Sequence, residues 1–100
     1  MLNSRQRAQL RAAATNIDTI LHVGKGGITE NIVVQACDAL KARELIKGKV
    51  LDNCELSAAE VAEILAERCS AESVQSIGSK FVLFKENKSI DKDKRIKLVK

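Results

Sequence analysis

The segment of this chain best equipped for chemistry is Gly24-Lys25-Gly26-Gly27. Glycines let backbone N–H groups face outward with no Cβ in the way. The helical pattern that starts just after them adds unpaired N–H groups and the positive end of a helix dipole. Together these form a cradle for a phosphate group, and Lys25 adds a mobile positive charge to it. A second set is basic: Arg43, Lys47 and Lys49, with Lys80 further along. Lys47 and Lys49 alternate onto one face of a strand, so they can act together on a phosphate backbone.

Two well-known phosphate loops are excluded. A P-loop needs G-x-x-x-x-G-K-[ST], and no such spacing occurs. The dinucleotide fingerprint G-x-G-x-x-G would need glycine where Thr29 stands. A G-x-x-G clamp on a nucleic-acid backbone, of the kind KH domains use, fits better. Taken in isolation, a glycine cluster is more often a plain turn, and strand lysines are more often a solvated face. Lys80 and Lys85, which flank the last strand, carry the same ambiguity.

Catalysis finds no support. His22, Asp18 and Glu30 lie near the loop, but they offer neither a nucleophile nor an opposed acid–base pair. Cys37, Cys54 and Cys69 are odd in number and widely spaced, with only His22 to complete a metal set. Free thiols in a reducing compartment are the expectation, with Cys37 and Cys69 packed within apolar helix patterns. No cofactor or metal is expected.

Seven elements position these residues. Ser4 reads as the cap of a first helix running to about Ala14, with Leu10, Ala13, Ala14 and Ile17 along its apolar side. Thr19 to Val23 reads as a strand ending at the glycine loop. Thr29 caps a second helix, with Ile28 and Val33 spaced as a hydrophobic staple. Its stripe is Ile28, Ile32, Ala36, Ala39 and Leu40. Leu45 to Leu51 is a strand with Ile46 and Val50 on one face and Lys47 and Lys49 on the other. Ser57-Ala58-Ala59-Glu60 is a capping box for a third helix whose stripe is Val61, Ile64, Leu65 and Cys69. Val74 to Ile77 and Lys80 to Phe84 form a hairpin around Gly78-Ser79.

The alternation predicts an α+β fold with one mixed sheet. The hairpin pairs antiparallel, and strands joined through helices run parallel. The chain has 100 residues, 45% hydrophobic and 30% charged, which is one domain's worth of material. Residues 1–86 read as the domain. Residues 87–100 read as a charged tail, in which Ile96, Leu98 and Val99 allow a weak terminal strand.

The net charge is +4, with a pI of about 9.1, a balance that suits an anionic partner. Phe81 and Phe84 are the only aromatics and fall on opposite faces of one strand, so base stacking on rings is not the expected mode. Contacts to phosphate and 2′-OH groups of structured RNA fit better. The first residues lack the apolar core of a signal peptide and no run is long enough to span a membrane, which predicts a cytoplasmic protein. A monomer is the default.

Five stretches, in order, resemble the YhbY-type, stand-alone bacterial form of the CRM domain. They are Arg11 to Ala14, Val23 to Thr29, Ala42-Arg43-Glu44-Leu45-Ile46-Lys47, Val74 to Gly78, and Phe81-Val82-Leu83-Phe84. The resemblance implies a mixed four-stranded sheet with three helices in the order α-β-α-β-α-β-β, like the C-terminal domain of bacterial translation initiation factor 3. It implies RNA binding through the G-x-x-G loop and neighbouring basic surface, with ribosomal RNA of large-subunit precursors as the expected partner and no DNA. By position, Gly24 and Gly27 match the loop's fixed glycines, Lys25 and Gly26 its variable middle, and Arg43 and Lys47 the basic stretch after the second helix. The chain departs from the pattern at Gly48, where an apolar residue is usual, and at Phe84, where tyrosine is common. Glycine inside a strand often marks a bulge.

The leading expectation is therefore RNA binding in large-subunit assembly through Gly24, Lys25, Gly26, Gly27, Arg43, Lys47, Lys49 and Lys80. Translational control, RNA chaperoning and a non-catalytic protein-interaction module are alternatives. A nucleotide-binding enzyme domain is disfavoured by the missing Walker lysine and the missing acid–base pair.

Overall fold

A computed structural model describes residues 2–86. The elements are α1 (Ser4–Ala14), β1 (Thr19–Val23), α2 (Glu30–Arg43), β2 (Leu45–Val50), α3 (Ala58–Cys69), β3 (Glu72–Ile77) and β4 (Lys80–Phe84). Three helices and a four-stranded mixed sheet give the expected α+β fold. The possible terminal strand in the tail lies outside the described residues.

Local signals explain the helix starts. α1 is capped by Asn3 rather than Ser4. Asn3 Oδ1 accepts the Gln6 N–H at 2.8 Å, and Gln6 Oε1 accepts the Asn3 N–H at 3.0 Å. Both residues can cap; the reciprocal Gln6 contact needs a cap three positions before it, which is Asn3. Thr29 caps α2 through the Ile32 N–H, and Ser57 with Glu60 forms the capping box of α3. On α3, Ile64 is 38% exposed rather than buried, and Ala58 and Ala62 join the buried stripe. Small residues let α3 sit close to the sheet.

The sheet order is β1-β2-β4-β3. β1 and β2 are parallel, and β4 runs antiparallel to both β2 and β3. β2 and β3, joined through α3, therefore run the same way but are separated by β4. One face packs on α2 and α3 through Leu21, Val23, Ile46, Val50, Phe81 and Leu83. The other packs on α1 through Leu45, Val74, Val82 and Phe84, against Leu10 and Ala14. Phe81 and Phe84 thus belong to opposite cores, as alternation requires.

Gly48 does not create a bulge. β2 pairs without interruption from Leu45 to Lys49, and the irregularities fall between Thr19 and Leu21 in β1 and between Ser73 and Gln75 in β3. Glu44, at the turn from α2 into β2, is fully buried and adopts φ +63°, a conformation uncommon for a residue with a side chain.

The expectation of three free thiols is corrected. Cys37 of α2 and Cys69 of α3 form a disulfide, with Cα atoms 5.3 Å apart, and Cys54 alone is free. The two sulfurs meet because α2 and α3 lie side by side on the sheet, a proximity that a sequence separation of 32 conceals.

Candidate functional site

β1 delivers the glycine loop to the edge of the sheet. The Val23 carbonyl accepts the Leu51 N–H at 2.8 Å, so the chain leaves the sheet at Gly24. The Gly27 N–H then donates to the Gly24 carbonyl at 2.9 Å, closing a four-residue turn. Gly27 has φ +64°, which an L side chain resists, so the backbone itself demands glycine there. Gly24 and Gly26 differ. A Cβ on Gly24 would meet Leu51 and Asn53 at 3.5 and 3.6 Å, and one on Gly26 would meet Thr29 at 3.5 Å, all ordinary contacts. The protein's own packing does not require these two glycines. Bare backbone at such positions is what a closely approaching phosphate needs.

Among the described residues, no hydrogen bond occupies the N–H groups of Lys25 or Gly26. Glu30 and Asn31 begin α2, where N–H groups lack intrahelical acceptors. The Glu30 carboxylate at this mouth is paired with Arg68 of α3 at 2.9 Å, which offsets a negative charge beside the loop.

Strand direction decides which cations join the loop. Because β2 runs parallel to β1, its Lys49 end lies beside the loop. His22 pairs with Lys49, Lys49 with Lys80, and Lys80 with Ile77, so one row crosses all four strands. All four residues of the row are exposed. Like charges directly opposite each other weaken a strand pair, and an anion laid across Lys49 and Lys80 relieves that repulsion.

The structure thus brings together Gly24, Lys25, Gly26, Gly27, Lys49 and Lys80. It gives Lys47 another task. Lys47 shares the face of Lys49, as alternation predicts, but its Nζ donates to the Ala14 carbonyl at 3.2 Å and ties down the end of α1. Lys85 likewise donates to the Cys69 carbonyl at the end of α3, at 2.9 Å. Arg43 is exposed at the far end of β2, roughly 17 Å of strand away from the loop, beside Ile17, Asp18 and Ile20.

Two neighbours were missed by sequence reasoning. His22 lies in the row with Lys49, and the alternation of Leu21 and Val23 already placed it on the outer face. Arg11 stands across a shallow cavity from Lys80. Its position depends on how α1 lies over the sheet, for which the sequence holds no local signal. Among the described residues, no group of three or more His, Cys, Asp or Glu side chains is placed to hold a metal. No helix there is long and apolar enough to cross a membrane.

Comparison with known proteins finds similarity over most of the chain. Residues 2–85 match the CRS1 / YhbY (CRM) domain. The chain is 46% identical over 88 residues to the "Probable RNA-binding protein YqeI" of Bacillus subtilis, covering 88% of this chain and 92% of that one. It is 33% identical to a "Probable RNA-binding protein" of Methanocaldococcus jannaschii, covering 95% of this chain and 81% of the relative. The solution structure of a hypothetical protein from Staphylococcus aureus superposes with a TM-score of 0.81 at 45% identity, covering 99% of this chain and all of that one.

Proposed function

The chain belongs to the CRS1 / YhbY (CRM) domain family, and on that footing we propose that it binds RNA, specifically ribosomal RNA in precursors of the large ribosomal subunit, and assists their assembly. The observation that carries RNA binding is the alignment of Lys49 and Lys80 across β2 and β4 beside the Gly24–Gly27 turn. The turn holds one phosphate through the N–H groups of Lys25 and Gly26, and the lysine row holds the backbone that leads away from it. Named RNA-binding relatives at 46% and 33% identity support the partner class. The ribosomal assignment rests on the resemblance to stand-alone bacterial CRM proteins. Arg43, at the opposite end of β2, would meet a different segment of the RNA. In this reading the protein acts as a cytoplasmic monomer without catalysis, because the site supplies positive charge and bare backbone rather than a nucleophile or a proton-transfer pair.

The test is sedimentation of a cell lysate on a sucrose gradient, following the protein beside a Lys25→Glu, Gly26→Asp variant. Co-migration of wild type with large-subunit precursors, lost in the folded variant, is the expected result. If both proteins remain at the top, the ribosomal role is wrong; if both co-sediment, the loop is not the contact. With Lys25, Lys49, Lys80 and Arg11 on phosphates, log K should fall against log salt with a slope of about −3 to −4.

A further inference from the structure

We propose that the cavity between the end of α1 and the open face of the sheet receives one unpaired nucleobase of the RNA, an inference that rests on the RNA-binding reading above. The cavity measures about 230 Å³. That is below the roughly 300–1,000 Å³ typical of drug-sized ligand sites and suits a single planar ring system.

Its composition is that of a base slot. Ala14, Val82 and Ile77 supply its apolar lining, and Arg11, Thr15, Lys47 and Lys80 line it as well. Ile77 is 65% exposed, the most exposed of the large apolar residues described. With Ala14 and Val82 it lines one continuous apolar surface inside the cavity, on which a flat ligand can rest. Gln75 lines the same cavity, and among the described residues its side-chain amide has no hydrogen-bond partner. An amide both donates and accepts, so it can pair with the Watson–Crick edge of a base.

The surroundings say what carries the base there. Phe81 and Phe84 are buried in the two cores, at 0% and 3% exposure, so neither phenyl ring is available for stacking, and the exposed His22 imidazole lies on β1, at the opposite edge of the sheet from β3. At the β4 and β3 side of the sheet the apolar slot is therefore the surface on which a base can rest. Lys80 belongs both to the cavity lining and to the His22–Lys49–Lys80 row. The glycine loop at the end of β1 lies two strand spacings from β4, about 10 Å. A short run of backbone held by the loop, Lys49 and Lys80 therefore ends at the mouth of the cavity. Arg11 is placed to take the phosphate on the far side. A bulged or looped nucleotide presents a base free to enter; a nucleotide inside a duplex does not.

The test uses three RNA hairpins measured by fluorescence anisotropy: one fully paired, one with a single bulged nucleotide, and one with an abasic sugar at the bulge. Wild type should bind the intact bulge about tenfold more tightly than the abasic one, or about 1.4 kcal/mol. Ile77→Ser with Gln75→Leu should close that gap and leave affinity for the abasic hairpin unchanged. Ile77 is exposed and Gln75 half-buried on the edge strand β3, and an unchanged Tm verifies the fold. Lys25→Glu should weaken all three RNAs by the same factor. Equal wild-type affinity for all three hairpins would overturn the base slot and leave RNA binding standing. A gap that survives in the double variant places the base elsewhere and also overturns the proposal. If no hairpin binds, the RNA reading falls and the slot falls with it.

Discussion

The Phe81 ring occupies the space that a side chain on Gly48 would need. A Cβ built on Gly48 falls 2.2 Å from Phe81 Cζ and 2.7 Å from Cε1 and Cε2. The two residues are direct partners across β2 and β4, on the face packed against α2 and α3. Glycine at this position therefore admits a buried phenylalanine and leaves the strand straight, which keeps Lys49 in register with Lys80.

Gly48→Ala should lower stability by about 1–3 kcal/mol through overpacking. Urea unfolding measures the loss. Phe81→Leu in the Gly48→Ala background should recover part of it, because a smaller side chain vacates the contested space. If Gly48→Ala is neutral, the ring can move and the fit described is not tight.

The lysines of one strand face should separate by role. Lys49→Gln and Lys80→Gln should each reduce the salt slope of RNA binding by about one, with Tm unchanged. Lys47→Met should instead destabilise the fold by about 1 kcal/mol, since the Ala14 carbonyl loses one of its two donors and keeps only the Ile17 N–H at 3.3 Å. Parallel Tm and anisotropy measurements on the three variants check this. Equal effects of all three on both readouts would contradict the division.

The two matched glycines of the loop should also diverge. Gly27→Ala should cost about 1–2 kcal/mol of stability because of its positive φ. Gly24→Ala meets only ordinary contacts, so its Tm should hold while RNA affinity drops, as the new methyl obstructs the phosphate. Chemical denaturation paired with RNA titration distinguishes the two.

The Cys37–Cys69 bridge closes a loop of 32 residues, and a bridge of that length stabilises by about 3–4 kcal/mol. Dithiothreitol should lower Tm by roughly 10–20 °C. Cys37→Ser should reproduce the reduced value without further response to reductant, and Cys54→Ser should leave both values unchanged. Differential scanning fluorimetry with and without reductant is sufficient. An oxidised protein whose Tm ignores reductant would show that the bridge does not form.

Much of this molecule was legible in its sequence, because the signals are local. The capping residues of α2 and α3, the alternation in β1 and β2, and the glycine-first hairpin each lie within a few residues of what they specify. The same locality revealed the glycine loop and the shared face of Lys47 and Lys49. Asn3 was overlooked because Ser4, beside it, is an equally good cap by type; only the Gln6 contact distinguishes them.

What the tertiary structure decided is which of these pieces meet. Insertion of β4 between β2 and β3 sets Lys80 against Lys49. The packing of α1 over the sheet engages Lys47 and brings Arg11 to the cavity. The parallel run of β1 and β2 places Arg43 at the end away from the loop. Contact between α2 and α3 joins Cys37 to Cys69. Periodicity and caps report the conformation of neighbouring residues, whereas strand order and helix docking follow from burying two apolar faces at once. That is a property of the whole chain, so the sequence determined the parts of the site and the fold determined their arrangement.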